Sequence, residues 1–179
     1  MAQPSLLYIH GFGSKVDPTS DKQIALRKIG TVNAYAPDYA QEYERVLEDV
    51  TFLLDDADLL IGTSMGGFLV SRLSQLTGKP FVAINPVLCP KATLNKYQGT
   101  HQDYYGRTFT VTETIASSYP GFSHSANGIV LLDMEDELID SNATLNTLRS
   151  HMSVHTFEGG NHRFSHMEQA LPIIQQMMP

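Results

Sequence analysis

Apolar residues fall along this chain in two alternating patterns. Short, nearly continuous runs occupy residues 6–9, 32–36, 59–61, 81–84, 129–132 and 154–157; runs of this kind mark strands buried on both faces of a parallel sheet. Between them, apolar positions recur at helical spacing. Residues 40–55 place Tyr43, Val46, Leu47, Val50, Leu53 and Leu54 on one face and Glu42, Arg45, Glu48 and Asp49 on the other, the stripe of a helix that packs on a sheet. Further helices are predicted over residues 21–28, 65–76, 141–150 and 163–178. The alternation predicts a doubly wound α/β domain: a mostly parallel central sheet of about six strands with helices on both faces.

Residues 90–127 break the alternation. Where one crossover helix belongs, the sequence is mixed and aromatic-rich, with Tyr97, Tyr104, Tyr105, Phe109, Tyr119 and Phe122. This stretch reads as a small cap within a single domain spanning residues 1–179, the alternative being a long crossover with one or two ordinary helices. The cap aromatics imply an apolar acyl or aromatic substrate pocket.

Composition narrows the function classes. A chain of 179 residues with 42% hydrophobic and 17% charged residues builds one ordinary soluble core. The net charge of -7 and the lack of any basic block exclude a nucleic-acid surface. That charge also disfavours anionic substrates at long range, but only weakly, because salt screens beyond about 8 Å. Near the N-terminus a single short apolar run breaks at His10-Gly11, so neither a signal peptide nor a membrane span is expected. Cys89, the one cysteine, can form no internal disulfide and is expected to be a buried, inert thiol.

The candidate chemistry centres on Gly62-Thr63-Ser64-Met65-Gly66-Gly67, between the third apolar run and a helical pattern. Glycines two before and two after Ser64 clear the space where the chain reverses from strand to helix, leaving the hydroxyl at the tip: a nucleophile elbow. A serine hydroxyl is a weak nucleophile without a base. The last apolar run leads into Glu158-Gly159-Gly160-Asn161-His162, which presents His162 at the carboxyl edge of the sheet, where sites form in open α/β sheets. His166 is the rival base. The pair has the i, i+4 spacing of zinc ligands, but no glutamate follows His162 and no third ligand is indicated, so neither metal nor cofactor is expected.

An imidazole base needs a carboxylate to fix its tautomer. Asp136, in the acidic loop after the fifth sheet run, is the first choice, with Asp133, Glu135 and Asp140 as alternatives, although Asp140 also suits a helix N-cap. For the oxyanion hole, His10-Gly11-Phe12-Gly13 follows the first strand; the Phe12 N–H there and the Met65 N–H after the elbow are the candidate donors.

The blocks Leu6-Leu7-Tyr8-Ile9-His10-Gly11-Phe12, Gly62-Thr63-Ser64-Met65-Gly66-Gly67-Phe68, Ala83-Ile84-Asn85-Pro86, Asp136-Glu137-Leu138-Ile139-Asp140 and Glu158-Gly159-Gly160-Asn161-His162 resemble the YqiA-like esterases of the α/β-hydrolase superfamily. The resemblance implies a cytoplasmic carboxylic-ester hydrolase with Ser64 as nucleophile, Asp136 as acid and His162 as base. Glu135 departs from it, standing where these esterases usually carry glycine. The cap matches poorly, so it implies nothing about substrate preference. The expected partner is a small acyl ester. Identical machinery would serve a thioesterase acting on acyl-coenzyme A substrates, and a non-catalytic ligand-binding protein on the same fold is the reading from another class.

Overall fold

The four inner apolar runs become strands because their side chains feed two separate cores in alternation. Leu7, Leu60, Phe81, Ala83, Val130 and Leu132 enter one core; their neighbours Leu6, Tyr8, Leu59, Ile61, Val82, Ile84 and Leu131 enter the other. A strand covered on both faces has no solvent side to keep polar, hence the unbroken runs. The computed structural model describes residues 3–103, 105–124 and 127–178. Met1 and Ala2, the start of the N-terminal stretch read above, and the cap residue Tyr104 lie outside them.

The elements in order are β1 (Ser5–Ile9), α1 (Asp21–Leu26), β2 (Thr31–Tyr35), α2 (Tyr43–Thr51), β3 (Leu59–Thr63), α3 (Met65–Thr77), β4 (Phe81–Ile84), α4 (Pro90–Asn95), β5 (Gly99–Gln102), β6 (Thr108–Val111), α5 (Glu113–Ser118), β7 (Gly128–Asp133), α6 (Ser141–Leu148), β8 (Ser153–Phe157) and α7 (Met167–Gln175). Six strands form one sheet in the order β2-β1-β3-β4-β7-β8, and every neighbouring pair is parallel. The chain thus starts at β1, winds outward to β2, then crosses back to β3 and continues to the other edge. The carboxyl ends of β1 and β3 lie side by side, with Ile9 in register with Gly62. Helices α2, α3 and α6 contribute to the first core; α1 and α7 contribute to the second.

Two helices start later than the periodicity predicts. Helix α2 begins at Tyr43 rather than at residue 40, because the Asp38 carboxylate accepts the Ala40 N–H and the Gln41 side chain and holds that stretch in a turn. Helix α7 begins at Met167 rather than at residue 163, for Phe164 takes a left-handed φ of 66° that no helix admits. His162 and His166 therefore do not sit on successive helical turns.

The aromatic stretch holds α4, the antiparallel hairpin β5–β6 and α5. Its aromatics divide. The Tyr119 hydroxyl donates to the Tyr39 and Gln41 carbonyls and Phe122 packs on Phe81, so both serve the core. Tyr97 and Phe109 instead flank the Phe12 ring at 5.0 and 5.6 Å. Cys89 is exposed, contrary to expectation: the apolar strand ends at Ile84, and residue 89 caps the start of α4 beyond the intervening loop. Among the described residues no helix is long and apolar enough to cross a membrane.

Leu60 is fully buried at the centre of the sheet. Truncation by Leu60→Ala should cost about 2–5 kcal/mol, the range for a buried leucine in a core that cannot collapse around the void, read as a lowered midpoint in chemical denaturation.

Candidate active site

The elbow is built by close approach. Ser64 adopts φ 59° and ψ -120°, a conformation that a non-glycine residue holds only when its surroundings enforce it. Three backbone bonds do so: Ser64 N–H donates to the Ile84 carbonyl at 3.0 Å, and its own carbonyl accepts Val87 N–H at 3.1 Å and Phe68 N–H at 3.2 Å. A side chain on Gly62 would strike the Gly66 backbone, and one on Gly66 would strike the Ile9 carbonyl. Those glycines let α3 descend onto the ends of β1 and β3 at once.

On the opposite rim the segment after β8 is pinned by a buried carboxylate. Asp133, the last residue of β7, is fully buried; its Oδ2 accepts the N–H groups of Asn161 and Ser165 at 3.1 and 2.7 Å, and its Oδ1 pairs with His166 Nδ1 at 2.7 Å. Buried Asn85 adds a second anchor. Its side-chain oxygen accepts Asp133 N–H at 2.9 Å while its amide donates to the Asn161 and His162 carbonyls at 3.1 and 3.2 Å. Held between these anchors, His162 directs Nδ1 onto Asp136, 2.8 and 3.0 Å from the two carboxylate oxygens.

Asp136 is oriented in turn by the Leu138 and Ile139 N–H groups, at 2.8 and 2.9 Å. Burial pushes its carboxyl pKa up, but hydrogen bonds from His162, Leu138 and Ile139 outweigh that and hold it below the usual carboxylate value. Glu137 accepts His162 N–H at 2.9 Å, and that bond lowers its pKa.

Ser64, Met65, Phe12 and His162 line one cavity of about 600 Å³, with Tyr8, His10, Lys22, Thr63, Val87 and Tyr97 among its other walls. Phe12 and Met65 both line the cavity, and among the described residues neither N–H has a protein acceptor. Burial pulls the His10 pKa down to about 4, reinforced by the nearby Lys22 ammonium, so that imidazole is neutral at pH 7. Burial lifts the Tyr8 hydroxyl to about 12, although its contact with Thr63 works the other way.

The alternatives separate cleanly. Asp133 meets His166 rather than His162, Asp140 caps α6 by accepting Ala143 N–H at 2.9 Å, and Glu135 meets the His162 segment only through its backbone, its N–H donating to the Gly159 carbonyl. Among the described residues no group of three or more histidine, cysteine, aspartate or glutamate side chains is arranged to hold a metal. Of the described cap aromatics, only Tyr97 lines the cavity. Sequence reasoning missed Lys22 and Arg163, which also line it; Lys22 falls in an ordinary-looking helix and Arg163 beside a more conspicuous histidine. Asn85 was visible only inside a block of resemblance, and its positive φ of 42° is not a property a sequence displays.

Comparison with known proteins places the fold that carries this geometry. Over 98% of its length the chain superposes on Est1E from Butyrivibrio proteoclasticus, covering 86% of that chain with a TM-score of 0.69 at 14% identity. Mouse alpha/beta hydrolase domain-containing protein 10 gives 0.64 at 16% identity, over 94% of this chain and 86% of that one. At such identities the likeness establishes the α/β-hydrolase fold. A UPF0227 protein of Shewanella sp. (strain ANA-3) is 22% identical over 178 residues, 95% of this chain and 97% of the relative. The YqiA-like resemblance is borne out, for the model of one uncharacterised family matches residues 5–178: the chain belongs to UPF0227.

Proposed function

We propose that this protein is a serine hydrolase that cleaves carboxylic esters through an acyl-enzyme on Ser64. One observation carries the reading: a histidine backed by a buried aspartate lines the same cavity as a serine held on a strained elbow. With Nδ1 occupied by Asp136, His162 keeps Nε2 for the serine proton. The Ser64 Oγ attacks the acyl carbonyl, and its proton passes to His162. The carbonyl oxygen, gaining negative charge, is held by the Phe12 and Met65 N–H groups, which need not reorganise. As the ester C–O bond breaks, His162 hands the proton to the departing alkoxide; water then repeats the sequence and frees the acid.

The small cap within residues 90–127 belongs to this reading. Tyr97 lines the cavity, and with Phe109 it clamps the Phe12 ring, so the cap helps to fix the orientation of a proposed oxyanion donor.

A fluorophosphonate probe is expected to label one serine, Ser64, and Ser64→Ala should abolish labelling; undiminished labelling of that variant would sink the assignment. On p-nitrophenyl acetate, His162→Gln and Asp136→Asn should each lower kcat by about 10³-fold or more. The two aspartates should also part company in stability. Asp136→Asn keeps an oxygen for Leu138 and Ile139 and should cost about 1 kcal/mol, whereas Asp133→Ala strips three donors of a buried partner and should cost about 3–5 kcal/mol, compared by urea denaturation.

A further inference from the structure

The cavity is cationic in a protein of net charge -7. Lys15, Lys22, Lys96 and Arg163 line it, against a single carboxylate, Asp17, whose Oδ1 is already taken by the Thr19 N–H and hydroxyl. Lys22 is the informative member. It is half-buried, its ammonium lies 3.4 Å from the Thr63 hydroxyl next to the nucleophile, and among the described residues it forms no ion pair with a carboxylate. The charged groups that bear on it are Arg163, which repels it, and Asp133, which attracts it; neutral His10 stands nearby. Asp133 is only a partial answer, because its oxygens already serve Asn161, Ser165 and His166.

Burial, with Arg163 adding to it, pulls the Lys22 pKa down to about 8. An ammonium withdrawn from water without an anionic partner is costly, and such costs persist where a ligand offsets them. Arg163 extends the same feature. It directly follows His162, is exposed, and shares the cavity wall with Lys22; a planar guanidinium is suited to carboxylate or phosphate oxygens. Two cations, one against the residue before Ser64 and one on the residue after His162, thus line the same cavity as the serine and the histidine.

Resting on the serine-hydrolase reading, we propose that the substrate is an ester whose alcohol half carries an anionic group, a carboxylate or a phosphate, held by Lys22 and Arg163. The anion belongs to the alcohol half because Arg163 adjoins the histidine that protonates the departing alkoxide. Long-range repulsion from the net charge is screened at about 8 Å, whereas the cavity cations act at contact distance, where their sign prevails.

The test compares three acetyl esters: uncharged 4-acetoxybenzamide, 4-acetoxybenzoate and 4-acetoxyphenyl phosphate. Wild-type kcat/KM should favour at least one anionic ester by about tenfold or more, and which one it favours distinguishes carboxylate from phosphate. Lys22→Gln and Arg163→Gln should each shrink that ratio about tenfold, chiefly through KM. If Lys22→Gln does not fold, the surface variant Arg163→Gln carries the comparison. Because kcat/KM reports free-enzyme ionisations, the preference should fade as pH rises through about 8 and Lys22 loses its charge. A wild-type enzyme that prefers the amide, or a Lys22→Gln variant that loses activity equally on all three esters, overturns the proposal. Calorimetry with inorganic phosphate and with benzoate separates this from failure of the hydrolase reading. Binding of either anion that is lost in Lys22→Gln upholds the anion site even if no ester is turned over and Ser64 goes unlabelled, while binding of neither overturns it.

Discussion

The geometry of the site depends on one buried carboxylate, Asp133. A charge so fully buried is tolerable only if hydrogen bonds replace the water it has lost. The replacements come from elsewhere in the chain: the Asn161 and Ser165 N–H groups and the His166 ring converge on its two oxygens, while its own backbone ties to Asn85 and to the Ser141 hydroxyl. The segment after β8 must wrap around this group, and Gly160 shows how closely, since any side chain there would overlap the Asp133 carboxylate. His162 lies inside the wrapped segment. Its direction toward Asp136 is therefore a consequence of how a neighbouring charge is solvated by protein.

The frame around that carboxylate was readable from residue patterns. All six apolar runs are strands of the parallel sheet; burial on both faces leaves its signature in the four inner ones, and the glycine spacing around Ser64 reports a close approach that only glycine permits. The division of labour between Asp133 and Asp136 was not readable. Asp133 ends β7 and Asp136 follows three residues on in the same acidic stretch, and each faces a histidine from one short segment, so spacing cannot say which carboxylate meets which ring. The left-handed Phe164 decides it by stopping helix α7 at Met167, and nothing about a phenylalanine announces a positive φ.

The cap and the cavity charge were harder still, for a related reason. Aromatic content alone does not reveal whether a ring faces a core or a pocket; Tyr119 and Phe122 went to the core, and of the described rings only Tyr97 reached the cavity wall. Net charge is a sum over the whole surface and hides where the cations stand. Lys22 comes from α1, Lys96 from the turn after α4, and Arg163 from the segment before α7, three places distant in sequence that only the topology brings to one cavity.

Two of the molecule's local costs fall side by side there. The Ser64 backbone is held in an unfavourable conformation by bonds to β4 and to the loop beyond it, and the half-buried Lys22 ammonium rests against the neighbouring Thr63 without a carboxylate of its own. Either feature alone could be a compromise of packing. Their adjacency is harder to explain in that way, because a fold selected only for stability would relax the turn or place a carboxylate beside the lysine. The proposed anionic ester would meet both: its carbonyl would engage the projecting hydroxyl, and its anion would supply the charge that the protein leaves out. In the proposed reading the strained serine and the under-compensated lysine serve two ends of one small molecule, and the cost at the lysine is the one that a bound anion would offset.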